Sequence, residues 1–317
     1  MICGATGFIG RNLVEELSKN EDFVITATRF NRPEFQINNA KNPVKWIKID
    51  LRDEKEVKEI CKDIDVIVQA AATTSGSKDI VNKPYIHVTD NAVMNSYLLR
   101  EAYESNVKHF IFFSCTVMYP SSDNNIKELD WNESCEINKK YFGVAKTKIY
   151  IENMLKFYSN ISELKTTAIR HSNIYGPHDK YDLDKSHVFG ATITKVMNAK
   201  NSIKVWGTGE EERDLLYISD LVDFIKAVID KQKENNEVYN VGYGTKISIK
   251  DLVNKIISLS GKNLSIEHDL SQPTIKTKVV LDSSKALVHL GWEPKVTLDE
   301  GIQKTIKWWS KNIGQKN

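Results

Sequence analysis

Paired cysteines are missing from this 317-residue chain: its four cysteines, at positions 3, 61, 115 and 135, form no Cys-x-x-Cys pair and no metal-ligand spacing. We therefore expect a reducing, cytoplasmic location. The seven histidines form no His-x-x-x-His cluster, which argues against a metal site. No apolar run is long enough to span a bilayer, no secretory signal is visible, and a net charge of +2 gives no basic excess for nucleic acid.

A glycine-rich turn stands at the start of the chain. Its three glycines lie three residues apart, where backbone N–H groups can approach a pyrophosphate that a Cβ would exclude. Helical spacing follows through Leu13, Val14 and Leu17, so a helix N-terminus would point at the phosphates. A tight turn without a ligand is the alternative. The candidate dinucleotide contacts are Gly4, Thr6, Gly7, Phe8, Ile9 and Gly10.

Strand and helix patterns alternate through the first half. Short apolar runs predict strands at Phe23–Thr28, Val44–Ile49, Asp65–Ala70, His109–Ser114 and Thr166–Arg170, with helical spacing between them. This alternation predicts an α/β fold with a doubly wound parallel Rossmann sheet and ligands at the carboxyl ends of the strands. Only Met1–Cys3 precedes the glycines, so either the first strand is a stub or the reading frame begins upstream.

The alternation breaks after Arg170, where Asn173–Ser186 is polar and turn-rich. Beyond it the pattern predicts strands at Ile203–Trp206, Val238–Val241 and Lys278–Leu281, and helices at Asp220–Lys231, Ile249–Leu259 and Leu298–Trp309. We expect a smaller, discontinuous α/β lid over the strand ends. The predicted dinucleotide-binding domain comprises residues 1–172 and 214–242, and the predicted substrate-binding domain comprises 173–213 and 243–317.

The second predicted strand is followed by arginines rather than by a carboxylate. Arg29 and Arg32 precede the first acidic residue, Glu34. An arginine here suits the 2′-phosphate of NADP, whereas an acidic residue suits the ribose hydroxyls of NAD, so NADP is slightly favoured over NAD. The alternative is that both arginines are solvated surface charges. Further candidate cofactor contacts are Asp50 and Leu51 beside the adenine, and Ala70, Ala71 and Ala72 along the pyrophosphate.

Several motifs together resemble one known family. They are Gly-x-x-Gly-x-x-Gly, Asn91, Ser114–Tyr119, Asn173–Pro177, Arg213–Asp220 and Leu290–Trp292. Over essentially its whole length the chain resembles the extended short-chain dehydrogenase/reductase family, in its nucleotide-sugar epimerase/reductase branch. The stretches 176–180, 186–188 and 205–209 look most like the GDP-fucose synthase subgroup, which weakly favours a GDP-sugar.

The resemblance implies a set of site residues and a homodimer built through the helices near Asn91 and Phe142. The implied cofactor contacts include Asn91, Ser114, Lys146 and His171; the implied sugar-nucleotide contacts are Asn173, Ser186, His187, Val188, Lys195, Trp206 and Arg213. A guanidinium such as Arg213 suits a diphosphate, although a salt bridge with Asp214 or Asp220 is the alternative. His187 is either an acid/base or a residue that orients the lid.

The chain departs from this resemblance at the expected proton carrier. Members of the family use a tyrosine and, four residues later on the same helix face, a lysine. Lys146 fits the lysine, but Phe142 stands at the tyrosine position, and a phenyl ring exchanges no proton. Tyr141 lies about 100° around the helix from Phe142, and shares a face with Lys148 seven residues on. Either Tyr141 has taken the role, the enzyme is disabled, or the reaction does not use this acid.

The end of the predicted strand His109–Ser114 also departs from the resemblance. Cys115 stands where a Ser or Thr is usual, and since a thiol donates weakly, Thr116 is the better candidate to hold the sugar hydroxyl. Cys115 is otherwise a small buried hydrophobe. The residues Thr116-Val117-Met118 carry no acid for a dehydratase and no epimerising cysteine. The sequence therefore predicts an NAD(P)-dependent oxidoreductase or C4 epimerase acting on a nucleotide diphosphate sugar, with a catalytically impaired binding relative as the competing hypothesis.

Overall fold

The computed structural model describes residues 1–74, 83–183, 185–271 and 278–314. Its strands are β1 (Ile2–Cys3), β2 (Thr26–Arg29), β3 (Lys45–Lys48), β4 (Val66–Gln69), β5 (His109–Phe113), β6 (Lys165–His171), β7 (Asn173–Tyr175), β8 (Ser202–Trp206), β9 (Glu212–Tyr217), β10 (Asn236–Val241), β11 (Lys246–Ser248) and β12 (Ser265–Asp269). The α-helices are α1 (Phe8–Leu17), α2 (Glu54–Ile60), α3 (Thr89–Glu104), α4 (Phe142–Asn160), α5 (Val188–Asn198), α6 (Ile218–Lys231), α7 (Ile249–Ser260), α8 (Ser284–Leu290) and α9 (Leu298–Asn312).

A seven-stranded parallel sheet forms the centre of the fold, in the order β10-β6-β5-β4-β1-β2-β3. The strand order reverses beside β1, so the glycine turn that follows β1 lies at the switch point where ligands of such sheets bind. Although β1 has only two residues, Ile2 pairs with both Ala27 and Val68. The predicted doubly wound sheet is confirmed.

Helices cover both faces of this sheet. Leu13 and Val14 of α1 pack with α6 in one buried cluster. Leu98 of α3 and Leu155 of α4 pack with Val57 of α2 in the cluster on the other face. Because both faces are covered, the inner strands β4 and β5 are apolar except for one residue each, which is the pattern that the sequence shows.

Local sequence sets several helix ends. The Ser248 hydroxyl accepts from the Asp251 N–H at the start of α7, which ends at Gly261 with a left-handed backbone (φ 70°). Thr297 and Glu300 form a capping box at the start of α9. The smaller sheets are β11-β9-β7 and the pair β12-β8.

The predicted strand at Lys278–Leu281 is wrong. Leu281 makes only an isolated bridge to Ile126, because this apolar run packs against Tyr119 and Ile126 in a loop cluster rather than in a sheet. Strand β7 occupies the start of the segment that we expected to be turns. Strand β9 crosses the predicted domain boundary between residues 213 and 214. The proposed division into two domains stays a prediction.

Candidate active site

The glycine turn has the geometry of an anion cradle. Gly4 has φ 69°, and a Cβ on it would lie 2.6 Å from the Cα of Ala71. A Cβ on Gly10 would lie 2.3 Å from the Gly4 carbonyl oxygen. Gly7 caps α1 with no side chain, which leaves the helix N-terminus open to a ligand's phosphates. These residues fit a dinucleotide pyrophosphate, and Thr6, Phe8 and Ile9 lie in the same turn.

The adenosine end of the turn carries two arginines. Arg29 ends β2 with its Nε 3.9 Å from Glu34, and that nitrogen is buried without a hydrogen-bond partner. Arg32 is exposed and one of its terminal nitrogens lies 3.4 Å from the Thr6 carbonyl oxygen. The two guanidinium groups therefore flank the end of β2, where a ribose phosphate would lie.

Asp50 is already engaged by a neighbouring arginine. Arg52 donates to both of its carboxylate oxygens at 2.9 and 2.7 Å, and these bonds hold the pKa of Asp50 below its usual value. Leu51 beside it is buried. A carboxylate that is satisfied in this way is less available to an adenine or a ribose.

The loop after β4 is held by Asn91 at the start of α3. The Asn91 amide donates to the Thr73 carbonyl oxygen at 3.0 Å, and its oxygen accepts from the Thr73 N–H at 3.0 Å. Ala70 and Ala71 lead into this loop and Ala72 is exposed. Asn91 thus shapes the small-residue wall beside Gly4, while its own polar atoms are occupied.

Polar and ionisable side chains meet where β5 and β6 end. The Ser114 hydroxyl donates to Glu152 of α4 at 2.5 Å, and Arg170 of β6 pairs with the same carboxylate at 2.7 Å, all three being buried. Burial raises the pKa of the adjacent Cys115 thiol to about 11. Burial lowers the pKa of His171 to about 4, and its Nδ1 donates to the Ser172 carbonyl oxygen at 2.8 Å. Cys115 is therefore a thiol and His171 a neutral imidazole at neutral pH.

Two lysines on α4 face different surroundings. Lys146 is exposed, with its amino nitrogen 5.9 Å from the centre of the Phe142 ring, and Phe142 is itself 56% exposed. The amino group of Lys148 instead donates to the Phe113 carbonyl oxygen at 2.7 Å, at the end of β5. The assignment of Lys146 as a site residue stays a prediction, and the structure adds Lys148 as a second candidate.

Tyr141 lies outside α4, at the end of a short 3₁₀ turn (Lys139–Tyr141). Burial raises the pKa of its phenol, and the charge of Arg213 works in the opposite direction. Arg213 in β9 donates to the Glu212 carbonyl oxygen at 2.7 Å and is half-buried. The structure therefore brings Tyr141 and Arg213 together.

The segment after β7 is tied to the glycine-turn edge of the sheet. The Asn12 amide of α1 donates to the Pro177 carbonyl oxygen at 2.9 Å, and His178 contacts Glu15 at 3.1 Å. Lys180 donates to the Thr74 hydroxyl at 3.0 Å. Further along the chain, burial lowers the pKa of His187, and this imidazole is within electrostatic reach of His171 at the end of β6. The assignment of Ser186, His187 and Val188 to the sugar-nucleotide site stays a prediction.

The remaining candidates lie on the smaller sheets. The Asn173 amide donates to the Asp214 carbonyl oxygen at 3.1 Å. Lys195 of α5 donates to the Lys204 carbonyl oxygen at 2.8 Å, and its amino nitrogen lies 5.7 Å from the ring of Trp206, which is 45% exposed. Thr116 lies in the turn after β5, where its carbonyl oxygen accepts from the Tyr119 N–H.

Three features of the site were missing from our sequence assignments. They are Lys148 as the lysine at the strand end, Lys180 as the contact to Thr74, and the buried Glu152–Arg170 pair. Two signals were available: Lys148 and Glu152 are four residues apart on one helix face, and Arg170 is a charged residue in a strand that was predicted to be buried.

A glycine cradle at the switch point of a doubly wound sheet, with polar groups at the neighbouring strand ends, defines a dinucleotide-binding enzyme fold. The chain belongs to the NAD dependent epimerase/dehydratase family, whose sequence profile matches residues 1–242. The resemblance to extended short-chain dehydrogenases is therefore confirmed. Among the described residues, no helix is long and apolar enough to cross a membrane.

Individual relatives agree with this family. The GDP-L-colitose synthase of Yersinia pseudotuberculosis is 27% identical over 100% of this chain and 98% of its own length. The dTDP-4-dehydro-6-deoxyglucose reductase of Escherichia coli is 27% identical over 97% of this chain and 96% of its own. The UDP-glucose 4-epimerase of Thermotoga maritima, solved with UDP-glucose, has a TM-score of 0.86 at 24% identity, covering 98% of each chain, and shows the fold.

Proposed function

We propose that this chain is an NADP-preferring oxidoreductase that reduces a keto group on a nucleotide diphosphate sugar. One observation supports the proposal: Pro177, His178 and Lys180 are fastened to α1 and to the loop after β4, so the chain that leads to the predicted sugar-nucleotide residues runs beside the dinucleotide cradle. The similarity to a GDP-sugar synthase and a dTDP-sugar reductase supports the substrate class and weakly favours a GDP-sugar.

Each part of the site has a role in this proposal. Gly4, Gly7 and Gly10 receive the pyrophosphate, and Arg29 and Arg32 receive the 2′-phosphate. Arg213 holds the diphosphate of the sugar nucleotide, since its planar, permanently charged group suits two phosphate oxygens. Thr116, beside Cys115, orients the sugar hydroxyl. A bound nicotinamide supplies or accepts the hydride.

The direct test measures NADPH oxidation with dTDP-4-dehydro-6-deoxyglucose and with the corresponding GDP-linked keto sugar. We expect one of them to be reduced with a stoichiometric loss of NADPH. Interconversion of UDP-glucose with no net loss of NADPH would instead assign a C4 epimerase. If neither redox nor epimerisation occurs with any of the three, the proposed enzyme activity is wrong.

Arg213→Met tests the sugar-nucleotide end of the site. Losing a charge-assisted contact to the diphosphate should raise KM roughly tenfold or more and leave NADPH affinity unchanged. Lys246→Met is the matched control, because Lys246 lies on the neighbouring strand β11 and pairs with Glu212. An unchanged KM in Arg213→Met would remove this residue from the proposed site.

A specific observation favours the second candidate, a binding relative without catalysis. Neither Phe142, four residues before Lys146, nor Val144, four before Lys148, can exchange a proton. Phe142→Tyr separates the two functions. A large increase in turnover would mean that the scaffold was competent and lacked only the proton carrier. Retained binding of NADPH and GDP-L-fucose, with no turnover in either variant, would support the binding relative.

A further inference from the structure

Lys148 of α4 reaches the carboxyl end of strand β5. Its amino group donates to the carbonyl oxygen of Phe113, the last residue of β5, and lies 4.4 Å from the centre of the Phe112 ring. The carboxyl ends of strands are where ligands of doubly wound sheets bind. Lys148 as a residue is half-buried, and protein surrounds its amino group.

The other groups near α4 are less suited to exchange a proton there. Phe142 and Val144 are hydrocarbons, and Lys146 is exposed over the Phe142 ring. Tyr141 lies beside Arg213, and burial raises the pKa of its phenol. The pKa of Cys115 is raised to about 11 by burial. Compared with these five groups, Lys148 is set apart by its amino group, which carries a dissociable proton and donates to the last residue of β5.

We propose that Lys148 itself is the catalytic residue that gives a proton to, and takes it from, the reacting sugar oxygen. This inference rests on the proposed function. In the direction of reduction, a bound nicotinamide would supply the hydride for the new C–H bond at the keto carbon. The carbonyl π electrons move to oxygen, which takes a proton from the Lys148 ammonium to become the hydroxyl. The neutral amine then regains a proton from water.

The surroundings of Lys148 make this exchange easier. Burial lowers the pKa of Lys148, whereas Cys115 on the strand end and Glu152 on its own helix act to raise it. Glu152 is paired with Arg170 of β6, and His171 on that strand is neutral. From the segment above, His187 is near His171, and burial lowers its pKa too. Glu152, the carboxylate that favours the charged form of Lys148, is therefore already paired with Arg170, and Lys148 can lose its proton more easily.

The direction of the pH dependence follows from this assignment. Reduction needs the ammonium, so its rate should fall as the pH rises through the lowered pKa of Lys148, below the usual 10.5. Oxidation of the sugar alcohol needs the neutral amine, so its rate should rise over the same range. If the rate of reduction falls and the rate of oxidation rises over the same pH range, the titrating group is one that donates a proton in reduction and accepts it in oxidation.

The test compares four variants of the full chain in single turnovers with NADPH and dTDP-4-dehydro-6-deoxyglucose, or the GDP-linked keto sugar if that is the better substrate. Lys148→Ala should lose about 10²–10⁴-fold in hydride transfer, and added ethylamine should restore part of the rate. Lys148→Arg keeps a cation that cannot be deprotonated, so calorimetry should show intact NADPH affinity while turnover is lost. Lys156→Met, at an exposed position of the same helix, is the control and should transfer hydride at the wild-type rate. Tyr141→Phe tests the competing proton carrier and should keep the pH dependence of the wild-type rate.

Three results would overturn the inference. They are wild-type turnover in Lys148→Arg, no rescue of a folded Lys148→Ala by ethylamine, and loss of turnover in Tyr141→Phe with a changed pH profile. A wild-type protein that turns over none of the sugars would overturn the proposed function instead. The two failures are thereby distinguishable.

Discussion

The positions of Lys146 and Lys148 along α4 decide which of the two side chains reaches the end of β5. Two positions along an α-helix turn a side chain by about 200°, so the two lysines leave α4 on nearly opposite sides. The spacing rule measured from Phe142 selects Lys146 in the sequence. The packing of α4 against β5 presents Lys148 to the strand end instead. Spacing along a helix tells which side chains share a face. Only the contacts of the helix with the rest of the protein tell which face points toward the strand ends.

Arg29 carries a prediction at the same scale. Replacing Arg29 with Ala should weaken NADPH binding roughly tenfold, about 1.4 kcal/mol, and leave NADH binding unchanged, because only NADPH carries the 2′-phosphate. Calorimetry with both dinucleotides measures the difference. Arg100→Ala, which breaks a surface pair with Glu54 on α2, is the control and should alter neither affinity. Equal losses for NADPH and NADH would contradict the role given to Arg29.

Helix α4 and strand β6 are joined by the buried ion pair of Glu152 and Arg170, which lies next to Ser114 at the end of β5. Arg170 binds Glu152 through two nitrogens at 3.1 and 2.7 Å, and also donates to the Tyr119 hydroxyl at 2.9 Å. Since Glu152 also accepts from Ser114, the pair fixes the turn that carries Cys115. The two elements and the strand end are therefore held as one unit.

Breaking this pair should destabilise the fold strongly. Glu152→Leu leaves a buried guanidinium without its partner, and we expect the free energy of unfolding in urea to fall by about 3–5 kcal/mol. Adding Arg170→Met should recover most of that loss, because no unpaired charge remains. Lys62→Met, which removes an exposed pair with Glu59, is the control and should unfold as the wild type does. If Glu152→Leu alone were as stable as the wild type, the ion pair would not stabilise the fold as we expect.

At the scale of elements, sequence patterns located the parallel strands of the large sheet because buried strands are apolar along their length. They missed β7, β9, β11 and β12 in the smaller sheets. Of these, β7 and β9 carry Asn173, Arg213 and Asp214 as well as apolar residues, so their pattern is not that of a buried strand. They also assigned a strand to Lys278–Leu281, since a short apolar run does not reveal whether its partner is a sheet or a loop. The glycine turn was located because its geometry allows few other residues.

The whole molecule presents an aromatic surface on its paired helices. Helices α3 and α4 pack together, and outward from them Tyr103, Tyr150 and Phe157 are 39%, 42% and 51% exposed. Aromatic residues exposed on neighbouring helices are typical of interfaces. They support the homodimer that the family resemblance implies, formed by two copies of α3 and α4.

This surface gives a prediction for the assembly. Phe157→Glu combined with Tyr150→Glu should convert a dimer to a monomer in light scattering after gel filtration, because charges would have to be buried between the copies. Val288→Glu, at an 80% exposed position on α8, is the control and should leave the mass unchanged. A wild-type monomer, or a variant that stays dimeric, would rule out this interface.

The central claim is that the turn from Gly4 to Gly10 binds a nicotinamide dinucleotide. Titration calorimetry of the folded full-length chain with NADPH and with NADH tests it most directly. We expect saturable binding of at least one dinucleotide, tighter for NADPH, with one site per chain. A chain that is folded by circular dichroism and binds neither would contradict the assignment.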